Sequence, residues 1–214
     1  MVDPRMPPRL RYFYPRFKGE SFALLDIGCG NHSASITKKW FPRCRYSGVD
    51  REMYNIDETD LRSADHFFLL DLDRSNLEEI PDGHFDAILA SHVIEHLHSG
   101  LKVLQILVSR KLKPGGLIYV EFPSIRSLAL PNMPGTLNFC DDETHIRLYD
   151  VKDVANALLD NGMRIIRAGR RRCIDRILLM PIKILRETVR RHELRGGWFW
   201  DLLGFADFVF AQKT

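Results

Sequence analysis

The sequence predicts an α/β fold built on a mostly parallel sheet with helices on both faces. Three observations predict it. Strand-length apolar runs alternate with helix-length segments over the first 122 residues. The runs are continuous rather than alternating, as in strands buried on both faces. Three of the first four carry an aspartate at or beside their carboxyl end, where open α/β sheets bind ligands.

The first run, Ala23 to Ile27, leads into Gly28-Cys29-Gly30, with Asp26 just before the turn. Glycines there permit a tight turn and close approach of the backbone to a bulky ligand. Ser33 to Phe41 reads as a helix whose N-terminus points back at the turn, and Pro42 stops it. Tyr46 to Asp50 is the second strand. Asp50 lies 20 residues beyond Gly30, the spacing at which a carboxylate on the neighbouring strand meets ribose hydroxyls. His66 to Asp71 is the third strand. Asp71 suits an exocyclic adenine amine and Leu72 the ring face, while Asp73 reads equally as a helix cap.

Phe85 to Ala90 is the fourth strand, and a long helix is expected from the turn at Ser91 through Leu112, ended by Pro114-Gly115-Gly116. Leu117 to Phe122 is the fifth strand, apolar apart from Glu121. Residues 123 to 149 form a long loop, of the length that is usually functional or mobile. A helix over Tyr149 to Asn161, a strand over Met163 to Ala168 and a last strand over Phe205 to Gln212 complete the pattern.

At 214 residues the chain fits one domain with its own core. An N-terminal arm or cap over 1 to 21, rich in proline, arginine and aromatics, precedes a domain over 22 to 214 that carries a basic helical insertion at about 173 to 203. The arm reads as a packed irregular segment or a lid over a pocket. The net charge of +3 is too small to imply nucleic acid. Cys29, Cys44, Cys140 and Cys173 are widely spaced, which suits a reducing cytoplasm and neither a zinc ribbon nor a disulfide framework. No secretory h-region and no apolar run of about 18 residues is present.

Taken together, Asp26-x-Gly28-x-Gly30, Asp50, Asp71-Leu72, Phe85 to Leu97 and Leu112-Lys113-Pro114-Gly115-Gly116 resemble a class I S-adenosylmethionine-dependent methyltransferase over roughly residues 22 to 170, most like the Methyltransf_11 and Methyltransf_12 groups. The resemblance implies a Rossmann-like seven-stranded sheet whose last strand is antiparallel and lies between the fifth and sixth. It implies that Asp26, Gly28, Cys29 and Gly30 frame the methionine part of the cofactor, Asp50 the ribose, and Asp71 with Leu72 the adenine. Ser91 and His92 are then expected to border the sulfonium. One departure is Ser33, where a G-x-G-x-x-G nicotinamide fingerprint would need glycine.

His92 to His96 spells H-x-x-E-H, a zinc-protease pattern, but its position at the exit of strand four argues against a protease. On a helix, residues 92, 95 and 96 would share a face, the arrangement some quinone-pathway O-methyltransferases use for a metal; no metal is expected here. His145 is expected either as a solvent-facing loop residue or as a general base or substrate contact, and His92 is the second catalytic candidate. Arginines alternate with apolar residues between 170 and 195, and Trp198, Phe199 and Trp200 follow. This reads as a helix packed on the sheet or on a second subunit, or as a peripheral membrane surface. The expected activity is methyl transfer, most often to oxygen, on a small-molecule or lipid-linked acceptor. A non-catalytic cofactor-binding regulatory or assembly protein is the alternative. No nucleic-acid partner is expected, because no recognition fold accompanies the charge.

Overall fold

A computed structural model describes residues 3 to 191 and 193 to 214. Met1 and Val2 of the expected arm and His192 of the expected insertion lie outside the described residues. The arm holds two short helices, α1 (Pro8–Arg11) and α2 (Tyr14–Phe17). Then follow β1 (Phe22–Ile27), α3 (Ser33–Trp40), β2 (Cys44–Asp50), α4 (Glu58–Ser63), β3 (His66–Leu69), β4 (Phe85–Ser91), α5 (Gly100–Ile106), β5 (Leu112–Pro123), α6 (Val151–Leu159), β6 (Met163–Arg170), α7 (Ile174–Arg191), α8 (Trp200–Leu203) and β7 (Ala206–Lys213). Among the described residues, no helix is long and apolar enough to cross a membrane.

The seven strands form one sheet in the order β3-β2-β1-β4-β5-β7-β6. The first five pair in parallel, and β7 is antiparallel to both β5 and β6. This is the expected Rossmann-like class I methyltransferase sheet. Residues alternate between its faces. Leu25, Ile27, Ile88, Ala90, Ile118 and Val120 meet α5 and α6 through Val103, Leu104, Val154 and Leu158. Leu24, Tyr46, Leu89, Tyr119, Phe208 and Phe210 point the other way, onto Ala34 of α3 and onto Met6, Leu10, Phe13 and Phe17 of the arm. The arm is thus a layer of the second core. Phe17 stacks on Phe22 at 4.1 Å, and Tyr12 lies 4.8 Å from Tyr119.

Among the departures from the sequence expectation, which include the unforeseen α4 and a β5 that already begins at Leu112, two bear on the site. β3 stops at Leu69 because Asp71 folds into a turn, its carbonyl accepting from Arg74 and Ser75 and its carboxylate from the Asp73 amide. The helix expected directly after Ser91 does not form. His92 takes a left-handed φ of 57°, Ile94–His96 makes only a 3-10 turn, and α5 begins at Gly100. The Asp73 carboxylate holds the break open by accepting from the His98 and Ser99 amides at 3.0 and 3.1 Å. Asp73 thus fixes the loop ahead of α5 and is not a helix cap, since α5 has Ser99 as its N-cap and no side-chain cap bond.

Candidate active site

The carboxyl ends of four adjacent parallel strands, β3, β2, β1 and β4, bring the expected cofactor residues to one edge of the sheet. Asp71 and Leu72 follow β3, Asp50 ends β2, Gly28 to Gly30 follow β1, and Ser91 ends β4. The Asp50 carboxylate accepts from the Gly30 amide at 3.2 Å and from the Arg51 amide at 2.8 Å. It stays partly exposed, with lone pairs left for two further donors. Asp71 is also accessible, its nearest cation being Arg74 at 3.6 Å.

The β1 turn is more supported than the sequence suggests. Gly28 has φ of +70°, and a Cβ there would lie 2.3 Å from Val93 Cγ2. A Cβ on Gly30 would lie 2.8 Å from the Tyr54 carbonyl oxygen. Both glycines therefore also make room for the protein's own residues, beside the tight turn that the sequence predicts. Asp26 is buried, and one of its carboxylate oxygens accepts from the Ser33 hydroxyl at 2.5 Å and from the Tyr46 hydroxyl at 2.7 Å. Burial pushes its carboxyl pKa up, while Arg9 and the two hydroxyls pull it down. Asp26 thus props the turn from below, and Ser33, noted as a departure, supplies one of the props. Cys29 is also buried, packed where any Cβ on Gly48 would strike its sulfur, so only its backbone faces the edge.

Beyond Ser91 a cavity of about 420 Å³ opens between the sheet edge, the arm and α8, lined by Pro4 to Arg9, Ser91, His92, Glu121, Arg171, Arg176, Gly197 and Trp200. An ion cluster forms its floor. His92 places Nδ1 3.1 Å from Glu95 Oε1 and Nε2 3.0 Å from Glu121 Oε1. Arg171 Nη1 donates to the same Glu121 oxygen at 2.9 Å, and the Tyr119 hydroxyl donates to the other at 2.5 Å. Arg171 also pairs with Asp201 at 3.3 Å and lies over the Trp200 ring at 5.5 Å. Burial draws the His92 pKa down, but the hydrogen bonds and charges of Glu121 and Glu95 more than offset it and raise it to about 9. Burial would raise Glu121, yet Arg171, His92 and Tyr119 hold it well below the ordinary carboxylate range. At neutral pH His92 is a cation with both ring nitrogens engaged, so it does not serve as a base in this state.

His145 is not the solvent-facing loop residue of one expectation: its side chain is 4% exposed. Its Nδ1 meets the Phe139 carbonyl at 2.7 Å, and its ring stacks on Phe139 at 4.7 Å and lies 4.8 Å from His96. It does not line the cavity at Ser91. What connects it to His92 is Glu95, which contacts His92 on one side and lies with His96 and His145 on the other. These three offer one ligand atom each within 4.8 Å of one another. Glu95 Oε2 is buried without a hydrogen-bond partner among the described residues. A divalent ion would therefore find His145, not His92, beside Glu95 and His96. A second such group, His32, Asp57 and Asp60, is accounted for by the His32–Asp60 contact of 2.7 Å and the capping box of α4.

Sequence reasoning missed Glu121, Arg171, Tyr119 and Trp200 as members of this site. A lone acid in an apolar strand was the available signal for Glu121. Nothing in the run Arg170-Arg171-Arg172 marks the middle arginine as the buried one.

The sequence matches the family described as a methyltransferase domain, Methyltransf_23, over residues 3–168. The chain belongs to that family of S-adenosylmethionine-dependent methyltransferases. A search of curated proteins finds no match. Among solved structures, the chain is similar to a SAM-dependent methyltransferase from Archaeoglobus fulgidus, with 24% identity, 96% of this chain and 91% of that one covered, and a TM-score of 0.60. It is also similar to an S-adenosylmethionine-dependent methyltransferase from Mesorhizobium loti, with 18% identity, 96% of each chain covered and a TM-score of 0.61. A third is 1,6-didemethyltoxoflavin-N1-methyltransferase from Burkholderia thailandensis, bound to its substrate and S-adenosylhomocysteine, with 14% identity, 98% and 78% covered, and a TM-score of 0.60. At these identities the likeness is one of fold.

Proposed function

We propose that the protein transfers the methyl group of S-adenosylmethionine to an oxygen of a small-molecule or lipid-linked acceptor held in the cavity at Ser91 and His92. The observation that carries this reading is that the cavity is lined by Ser91 and His92 at the carboxyl end of β4, the strand paired in parallel with β1, whose own carboxyl end leads into Gly28 to Gly30. In it the Gly28 to Gly30 backbone, propped by Asp26, frames the methionine part. Asp50 takes the ribose hydroxyls, Asp71 and Leu72 the adenine, and Ser91 borders the sulfonium. When bound, the cofactor supplies a methyl already activated by its sulfonium, so the protein's task is in-line placement of the acceptor.

Arg5 is paired with Asp3, Arg171 and Arg176 with Asp201, and His92 with Glu121 and Glu95, which leaves Arg9, 3.5 Å from the Ser33 hydroxyl, to give the cavity wall its positive charge. Such a wall favours an acceptor that arrives as an anion, a carboxylate or an acidic phenol, whose oxygen is already a nucleophile. Methylation of nitrogen or carbon is the lesser alternative. His92 acts as the charged contact to this acceptor, and His145 acts on the acceptor side through Glu95. The four cysteines are unpaired, consistent with work in the cytoplasm.

Calorimetry with S-adenosylmethionine tests the donor site. Transfer from labelled donor to a panel of phenols, carboxylates and amines tests the reaction. Binding with no transfer to any member would favour a regulatory or assembly protein that merely holds the cofactor. Transfer to amines alone would overturn the oxygen assignment.

A further inference from the structure

Helix α7 presents an apolar stripe that none of the described residues covers. Ile174, Leu178, Ile182, Leu185 and Val189 fall at intervals of three and four, which places them along one side of a helix. They are 72, 72, 67, 69 and 68% exposed. At 1.5 Å per residue the stripe runs for about 22 Å. The opposite side, through Ile177, Met180, Ile184 and Thr188, is partly buried, so the helix already has a side that rests on the body and a second that does not.

Charge separates the occupants such a stripe could take. From Arg170 to Arg191 eight residues are basic and two acidic, a surplus of six that exceeds the whole chain's +3. Asp175 is taken up by Arg11 at 2.8 Å, and Arg171 and Arg176 are paired with Asp201 at 3.3 and 3.6 Å, so setting these three aside leaves six basic residues against one acid, a formal surplus of five. On a helical projection Arg186 and Arg190 fall together along one border of the stripe, and both are exposed. A second copy of the chain would bring the same surplus against this one. An anionic bilayer brings its complement, and interfacial helices of this kind bury an apolar side while basic residues meet the headgroups.

We propose that α7 is an interfacial helix that docks the protein on an anionic membrane surface through the stripe from Ile174 to Val189, with Arg186 and Arg190 on the headgroups. The fold gives the docked helix a use. Ile174, the first residue of the stripe, also lines a groove of about 500 Å³ with Tyr12, Pro15, Ile166 and Phe210, and that groove shares Pro8 and Arg171 with the cavity at His92. Docking sets the mouth of an apolar groove at the bilayer and its inner end beside the cavity. The use of the groove for an amphiphilic acceptor rests on the methyltransferase reading; the docking does not.

Co-sedimentation of the full chain with vesicles of phosphatidylglycerol and phosphatidylcholine, and with phosphatidylcholine alone, tests the proposal. The protein is expected to pellet with the mixed vesicles and to stay in solution with the neutral ones. Arg186→Gln/Arg190→Gln should lower the partition coefficient by about thirtyfold, since each basic residue near such a surface contributes about 1 kcal/mol. Leu178→Glu/Leu185→Glu should abolish pelleting with an unchanged thermal unfolding curve and unchanged calorimetric binding of S-adenosylmethionine. Pelleting of that variant equal to the parent, or no pelleting of the parent, overturns the proposal. So does a sedimentation-velocity dimer that disappears in Leu178→Glu/Leu185→Glu, which would assign the stripe to a second copy. Loss of cofactor binding in the parent would instead strike the methyltransferase reading and leave the docking result intact.

Discussion

Glu121 Oε1 is shared by His92 and Arg171, at 3.0 and 2.9 Å. One buried carboxylate therefore bonds two cations contributed by different parts of the chain, the exit of β4 and the segment after β6, while Glu95 and Asp201 supply further negative charge. Glu121→Gln keeps the shape and removes the charge, leaving His92 and Arg171 facing each other across a neutral amide. The expected loss is about 3–5 kcal/mol of unfolding free energy in urea. Adding Arg171→Met should recover part of it, and strict additivity of the two substitutions would deny the coupling.

The same cluster sets a pH dependence. His92 has its folded pKa raised from 6.5 to about 9, so its stabilisation is complete below pH 6.5 and is lost as pH rises through 9. Glu121 is depressed below 4.5, so its contribution is present above that value and is lost on acidification. Stability from the cluster should therefore peak between these ordinary values and fall by about 3 kcal/mol toward pH 9 and above. Denaturant titrations at several pH values should show the decline in the parent and a flatter profile in His92→Asn.

Gly28→Ala is expected to destabilise the fold as well as the cofactor site, because its Cβ would meet Val93 Cγ2 at 2.3 Å on a backbone with φ of +70°. A cost of about 2–3 kcal/mol combines overpacking with left-handed strain. Gly28→Ala/Val93→Ala should recover the packing share in thermal unfolding and retain the strain. Full recovery would remove the backbone argument.

Asp50→Ala separates binding from stability. Its carboxylate is partly exposed and its protein partners are two backbone amides, so unfolding should change by about 1 kcal/mol or less. S-adenosylmethionine affinity in calorimetry should fall by about tenfold or more, the scale of a lost charge-assisted hydrogen bond. Unchanged affinity would remove Asp50 from the ribose contact.

His145→Ala should lower turnover by about tenfold, within the range of a lost positioning contact, without weakening cofactor binding. His145 is packed on Phe139 and His96, away from the strand ends that carry the glycine turn. Unchanged turnover with the most reactive acceptor of the panel would end its role.

What could be read from the sequence was whatever local pattern controls. Continuous apolar runs gave the parallel strands, and the terminal acids of β1 and β2 and the one following β3 gave the sheet edge proposed for the nucleoside. Periodicity failed between Ser91 and Gly100, where the apolar spacing suits a helix but Asp73, some 25 residues earlier in the chain, holds a break open. It failed again for Arg171, indistinguishable in sequence from its exposed neighbour Arg172 and buried only because β5 and α8 bring Glu121 and Asp201 to it. The glycines were identified as necessary for a turn, but their steric partners Val93 and Tyr54 are products of tertiary packing that no spacing rule encodes.

Strand β7 joins β5 to β6, and its register sets Phe208 opposite Glu121 and Ala206 opposite Pro123. During synthesis the ribosome releases β5, β6 and α7 before any residue of β7. Until residues 206 to 213 emerge, β5 and β6 each present an unpaired edge, and Glu121 has no neighbouring strand on that side. Helix α7 is complete by then, with its apolar stripe already made. The side of the sheet that carries Glu121 is thus the last to close, and a nascent chain halted before residue 206 carries the glycine turn and the Asp50 edge in a sheet whose β5 is still unpaired on one side.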